Sequence, residues 1–100
     1  MQNLISDFII KHDLQTNEEI RYIDLVSEVG ELGKEIIQGT NYGKNSFVIT
    51  NKTQDEIGDC LFSLLALCCS LNIDADEAVR DSLLKYEKRF IEKGNIGSRE

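Results

Sequence analysis

The chain has 100 residues and contains no proline and no tryptophan. Without proline, nothing in the sequence forces a helix to break or a loop into a fixed backbone angle. One histidine is present, His12. A single histidine excludes the His-rich ligand sets of zinc enzymes and of bundle di-iron centres, which need Glu-x-x-His on two helices. Three cysteines, Cys60, Cys68 and Cys69, lie in one apolar segment with no C-x-x-C spacing. Such placement suits neither a disulfide framework nor a zinc site, and predicts small buried side chains in a reducing compartment. No apolar run approaches the roughly 20 residues that span a bilayer. The start, MQNLISDFIIKHD, lacks a basic stretch followed by a long apolar core, so no signal peptide is expected and the cytoplasm is the default location. Cationic charge is also scarce: 11 Lys and Arg stand against 18 Asp and Glu, for a net charge of −7. A nucleic-acid backbone therefore makes a poor partner. A phosphorylated small molecule does not, provided a divalent cation intervenes.

What is present is helical in character. Leu, Ile, Glu and Lys are abundant, and apolar residues recur with helical periodicity in four segments. The pattern predicts helices over 2–11, 17–38, 52–71 and 74–93. Thr16 and Glu19 predict a capping box at the second start, and Asp74 with Glu77 a similar pair at the fourth. Gly39 is a natural stop. Residues 39–51, GTNYGKNSFVITN, read as a loop, within which Phe47-Val48-Ile49 could extend locally. Helices of this length joined by short turns predict an all-α antiparallel bundle in a single domain spanning residues 1–100. The third segment is apolar almost all the way round. A chain this short cannot surround such a helix unaided, so the bundle is expected to be completed by oligomerisation.

The informative residues are acids. On the third helix the polar positions Glu56, Asp59, Ser63 and Ser70 fall in one narrow sector. Two carboxylates side by side on a largely buried helix repel each other and lose hydration unless a cation compensates them. On the second helix Asp24, Glu28, Glu31 and Glu35 follow one flank of the stripe Leu25, Val29, Leu32 and Ile36. Two helices each carrying acid-x-x-acid can converge four carboxylates, Glu28, Glu31, Glu56 and Asp59, on one site. An all-oxygen ligand set suits Mg²⁺, with Mn²⁺ the alternative. His12, near a helix end, is expected at the surface or as a cap. Gly30, Gly33 and Gly58 each cost about 1 kcal/mol relative to alanine inside a helix. Their presence predicts close helix approach or access for a ligand.

The segments LVSEVGELGKEI, DEIGDCLFSLLAL and DEAVRDSLLKYEKRF, taken in that order over about residues 20–91, resemble the MazG-like nucleotide pyrophosphohydrolases of the all-α NTP pyrophosphatase superfamily. The family pattern is EExxE followed, after a variable gap, by ExxD. Glu28 and Glu31 match the second and third acids of the first half, Glu56 and Asp59 match the second half, and Ser27 stands where the family has its first acid. The resemblance implies Mg²⁺-dependent hydrolysis of (deoxy)nucleoside triphosphates to monophosphate and pyrophosphate, in homo-dimers or homo-tetramers. It implies metal ligation by Glu28, Glu31, Glu56 and Asp59; a carboxylate not fully engaged by the metal, Glu31 or else Glu28, is the candidate general base. It also implies phosphate contacts from basic residues near the site, for which Lys52, Lys85 and Arg89 are the candidates. Three other readings share the pattern: a non-catalytic dimerisation or regulatory module with a vestigial metal site, a phosphoribosyl-ATP pyrophosphohydrolase, and a dimeric dUTPase.

Overall fold

A computed structural model describes residues 1–97. Four helices form: α1 (Gln2–Lys11), α2 (Glu18–Gly39), α3 (Asn51–Leu71) and α4 (Ala75–Lys93). Among the described residues there is no strand, and the protein is all-α as its periodicity implies.

The helix starts follow local side-chain chemistry. Asn17, not Thr16, caps α2: its side-chain oxygen accepts from the Ile20 N–H at 2.9 Å. The shift of one residue places both Glu18 and Glu19 in the first turn, where acids complement the helix dipole. Asp74 caps α4 as expected and accepts from the Glu77 N–H at 3.2 Å. α3 starts one residue earlier than the pattern suggests, because Thr53 Oγ1 accepts the Thr50 N–H at 3.1 Å. Thr50 Oγ1 donates in turn to Glu35 Oε1 at 3.0 Å, joining the end of α2 to the start of α3. α2 runs through Gly39 and ends at Thr40. A Cβ on Gly39 would stand 2.5 and 2.7 Å from ring carbons of Phe47, so the glycine lets the loop fold back. The Val48 N–H then donates to the Gly39 carbonyl at 3.0 Å. Residues 47–49 are exposed and carry no regular secondary structure.

α2 and α3 are antiparallel. The end of α2 meets the start of α3 through Glu35 and Thr50, while Tyr22 and Ile23 at its other end share a cavity with Leu67 and Leu71. α1 is antiparallel to α3 as well: Phe8 packs edge-on against Phe62 at 5.9 Å, and Gln2 reaches the turn after α3. The Gln2 amide donates to the Ile73 carbonyl and accepts from the Ala75 N–H, both at 2.7 Å. Arg21 is buried, and its guanidinium donates to the Leu14 carbonyl at 2.5 Å, tying the α1–α2 turn. His12 ends α1 with its ring 4.6 Å from that of Phe8, a packing role.

The core is small: Ile9, Leu65 and Ala66, with Arg21, Thr53 and Ser63. A single chain does not shield α3 on all sides. Ile57, Leu61, Leu64 and Leu71 remain more than two-fifths exposed, because only α1 and α2 lie against the helix. α4 leaves the others at a bend of 101° and buries no residue. Val79, Leu83, Leu84, Phe90 and Ile91 are all exposed, Ile91 to 79%. The radius of gyration, 16.8 Å, exceeds the roughly 13 Å expected of a compact 100-residue domain. No single helix among the described residues is long and apolar enough to cross a membrane.

Candidate metal and nucleotide site

The antiparallel pairing of α2 and α3 carries the acids of one helix across to those of the other. Ligand-capable oxygens of Glu28, Glu56 and Asp59 lie within 4.8 Å of one another. Glu28 and Glu56 are half-buried and Asp59 is exposed. Three of the four acids expected from the sequence therefore meet. Glu31, one turn beyond Glu28, is exposed and stands outside this trio, yet near enough for its charge to act on Glu56. Glu35, the next acid along α2, is engaged by Thr50.

The electrostatics register the crowding. Glu56 has its pKa raised above the ordinary 4.5. Partial burial is the largest cause, followed by the negative charges of Asp59, Glu31 and Glu28. Lys52, one turn before Glu56, pulls the other way. The Cys60 thiol is pushed up by burial and by Glu28, Glu56 and Asp59, which keeps it protonated beside the acids. Cys68 is pushed up by burial. All three cysteines are free and half-buried.

A set of carboxylate oxygens with no soft donor among them fits a hard divalent cation, and a carboxylate held toward its protonated form marks repulsion that such a cation would relieve. The acids are less buried than the sequence suggests. Partial burial of Glu56, reinforced by the charges of its acidic neighbours, is what raises it.

The glycines have a different surrounding from the one expected. A Cβ on Gly30, Gly33 or Gly58 would meet nothing within 4 Å, so none of them mediates close approach between α2 and α3. They face open space on the single chain.

Of the three basic candidates, only Lys52 is shown near the acids within one chain. Lys85 and Arg89 lie on α4, where both cations stand over the Tyr86 ring, at 5.3 and 5.9 Å from its centroid. Arg89 also donates to the Ile96 carbonyl at 3.2 Å.

Sequence reasoning did not find Thr50 and Thr53, which set the register of α3 and hence the position of Glu56. The T-x-x-T spacing at 50–53 was the available signal, a capping arrangement with threonine in place of the more usual glutamate or glutamine. Arg21 gave no signal, since burial of an arginine depends on a carbonyl seven residues away.

No curated protein and no solved structure matches the chain. The family profile of the MazG nucleotide pyrophosphohydrolase domain matches residues 15–91, which contain all of α2 and α3 and most of α4. With its paired acids brought together by the α2–α3 hairpin, this chain belongs to the MazG nucleotide pyrophosphohydrolase family.

Proposed function

We propose that the chain hydrolyses (deoxy)nucleoside triphosphates to monophosphate and pyrophosphate, with Mg²⁺, or Mn²⁺ in its place, held by Glu28, Glu31, Glu56 and Asp59. The observation that carries this reading is the convergence of Glu28, Glu56 and Asp59 from two helices to within 4.8 Å. The same reading takes residues 1–100 as one domain working as a homo-oligomer.

A bound divalent cation would neutralise phosphate charge and make water a better nucleophile at neutral pH. The rest of the chemistry falls to side chains. Glu28, Glu56 and Asp59 form the ligand face. Glu31, on the same flank of α2 at the edge of that face and so the ligand least engaged by the cation, is the base. It takes the proton of a water that adds to one of the two phosphorus atoms flanking the α–β bridging oxygen. The bond from the attacked phosphorus to the bridging oxygen breaks, and the leaving group, pyrophosphate for attack at the α-phosphorus or monophosphate for attack at the β-phosphorus, departs with the bond's electron pair. Lys52 supplies a positive charge one turn from Glu56. Ser27 withdraws one negative charge from this region relative to the family pattern, and leaves four acids for the site.

The test is a nucleotide panel that includes dUTP and phosphoribosyl-ATP, run with Mg²⁺, with Mn²⁺ and with chelator, and analysed for monophosphate and pyrophosphate. Metal-dependent appearance of both products from at least one triphosphate is expected, and the preferred member identifies the sibling activity. No product from any member, together with a melting temperature that still rises with Mg²⁺, would assign the chain as a non-catalytic module with a residual metal site.

A further inference from the structure

We propose that the Phe47 ring is a nucleobase platform: a base stacks on its open face while the phosphates of the same nucleotide lie at the acids of the same chain. The inference rests on the nucleotide-hydrolysis reading of Glu28, Glu56 and Asp59 and adds the subsite for the other end of the substrate.

Register is the first argument. Glu35 follows Glu28 by seven residues and Gly39 follows it by eleven, and α2 is helical through Gly39. At 100° per residue both fall within about 20° of Glu28 on the helix wheel. The chain from Phe47 to Asp59 runs antiparallel beside that face. Asp59 and Glu56 meet Glu28, Thr50 bonds Glu35, and Val48 bonds Gly39. The Phe47 ring lies over Gly39, where a Cβ would stand 2.5 and 2.7 Å from its carbons. Acids and ring therefore share one track along α2. At 1.5 Å per residue the ring sits about 17 Å from Glu28 and about 12 Å from Glu31 along the axis. A nucleotide whose triphosphate spans the metal ligands covers such a distance through its ribose to its base.

The second argument is how the ring is held. On one side of Phe47 the Asn45 N–H donates to the Thr40 carbonyl at 2.9 Å. On the other the Val48 N–H donates to the Gly39 carbonyl at 3.0 Å, and Thr50 Oγ1 donates to Glu35 Oε1 at 3.0 Å. The segment is thus tied to the end of α2 both before and after the ring. A ligand that stacks there does not have to order the ring first, which lowers the cost of binding. One side of the ring meets α2 at Gly39, and the residue is still 38% exposed. That leaves a π-face open to a ligand.

The third is chemical. A metal held by carboxylates meets the same phosphate oxygens in a nucleotide and in inorganic polyphosphate, so the acids alone do not tell the two apart. An aromatic ring does, because only the nucleotide carries a base to stack. Stacking needs a π-face and every base has one, so this platform selects for a base and tolerates its identity. Glu35 stands between the ring and the acidic trio. Its negative charge disfavours a phosphate at this end of the track, which sets the direction of the nucleotide: phosphates toward Glu28, base toward Phe47.

Two variants test this. Phe47→Leu keeps an apolar side chain over Gly39 and removes the ring. Calorimetry measures binding of the Mg²⁺ complexes of two ligands: an α,β-methylene nucleoside triphosphate, which resists cleavage, and inorganic tripolyphosphate, which has no base. The variant should bind the nucleotide analogue about tenfold more weakly, the scale of one base–aromatic stack, and tripolyphosphate as the unmodified protein does. Weakening of both ligands alike, or of neither, would overturn the proposal and leave Phe47 to pack the loop on Gly39. Phe47→Trp introduces the chain's only tryptophan. Its fluorescence should be quenched on titration with the analogue and not with tripolyphosphate. The same response to both, or none to either, would overturn the proposal as well. The base-dependent pattern in both variants, with no turnover of any nucleotide by the unmodified protein, would sink the hydrolase reading alone.

Discussion

Helices α3 and α4 are nearly equal in length, 21 and 19 residues, and each opens on a side-chain capping arrangement. α3 buries Thr53, Ser63, Leu65 and Ala66; α4 buries nothing. α3 has α2 on one side and α1 on another, so its acids face those of a neighbour and its register is pinned by the Thr50–Glu35 bond. α4 has a comparable apolar stripe and no helix of its own chain to lay it on. The comparison teaches that one chain gathers three of the acids but leaves the apolar stripe of α4 bare. The hairpin is mostly acidic, whereas the last turns of α4 are richer in cations than in acids.

The largest expected effect separates chemistry from folding in the hairpin. Glu56→Gln should lower hydrolysis by at least about a hundredfold, because a lost ligand misplaces the metal and its water. The metal-free melting temperature should stay the same or rise, since one repelled charge is gone. Mg²⁺ should stabilise the unmodified protein by mass action and the variant much less. Melts with Mg²⁺ and with chelator check this; full activity in the variant would remove Glu56 from the site.

On the other side of the comparison stands Phe90. If α4 is covered by another copy, Phe90→Ala removes about 3–5 kcal/mol of packing between chains. Sedimentation at micromolar concentration should show a dimer or larger for the unmodified protein and a smaller species for the variant. A stable folded monomer of the unmodified chain would break the contrast drawn between α3 and α4.

Lys85→Ala and Arg89→Ala should each weaken nucleotide binding by about tenfold, the scale of one charge-assisted contact to phosphate. Melting temperature should hardly move, since neither side chain is buried. Unchanged kinetics in both would leave the two residues as solvent-facing companions of Tyr86.

Two glycines sharpen the comparison on α2. Gly39→Ala sets a Cβ against the Phe47 ring and should cost about 1–3 kcal/mol of thermal stability without touching the acids. Gly33→Ala meets nothing in its own chain, and alone would favour the helix by about 1 kcal/mol. A covered face reverses that sign, so Gly33→Ala should shift sedimentation toward smaller species. Unaltered assembly with a higher melting temperature would mean that this face of α2 is open in the oligomer too.

The smallest effect is a pH dependence. A carboxyl whose folded pKa is raised holds its proton more tightly when folded. Its stabilising contribution is complete below the unfolded value near 4.5 and is lost as pH rises through the folded pKa. Metal-free melting temperature should therefore fall as pH increases from about 4.5 through that window, and Glu56→Gln should flatten the fall. Mg²⁺ should oppose it, because the metal selects the ionised form.

Much of this protein is legible along the chain because it is local. Apolar spacing set four helices to within a residue or two, and Asp74 and Asn72 acted as cap and turn residues without help from distant groups. The acid spacing of Glu28 to Glu31 and Glu56 to Asp59 follows from 100° per residue, and three of these four acids, Glu28, Glu56 and Asp59, meet in the fold. The competition between Thr16 and Asn17 for one cap was not decided by spacing, since both are good caps. Nor was the fate of the third helix: periodicity reports that a face is apolar, not which molecule covers it.

By itself, then, the sequence determined which residues share a helix face, because neighbours on a helix are fixed by covalent geometry and rise. Tertiary structure alone decided which faces meet. Antiparallel packing of α2 on α3 brought Glu28 to Glu56 and Asp59 and left Glu31 just outside. The turn at Asn72, held by Gln2, sent α4 away from the hairpin. Those outcomes depend on contacts between segments tens of residues apart, whose strength comes from buried area and pairing that no local spacing encodes.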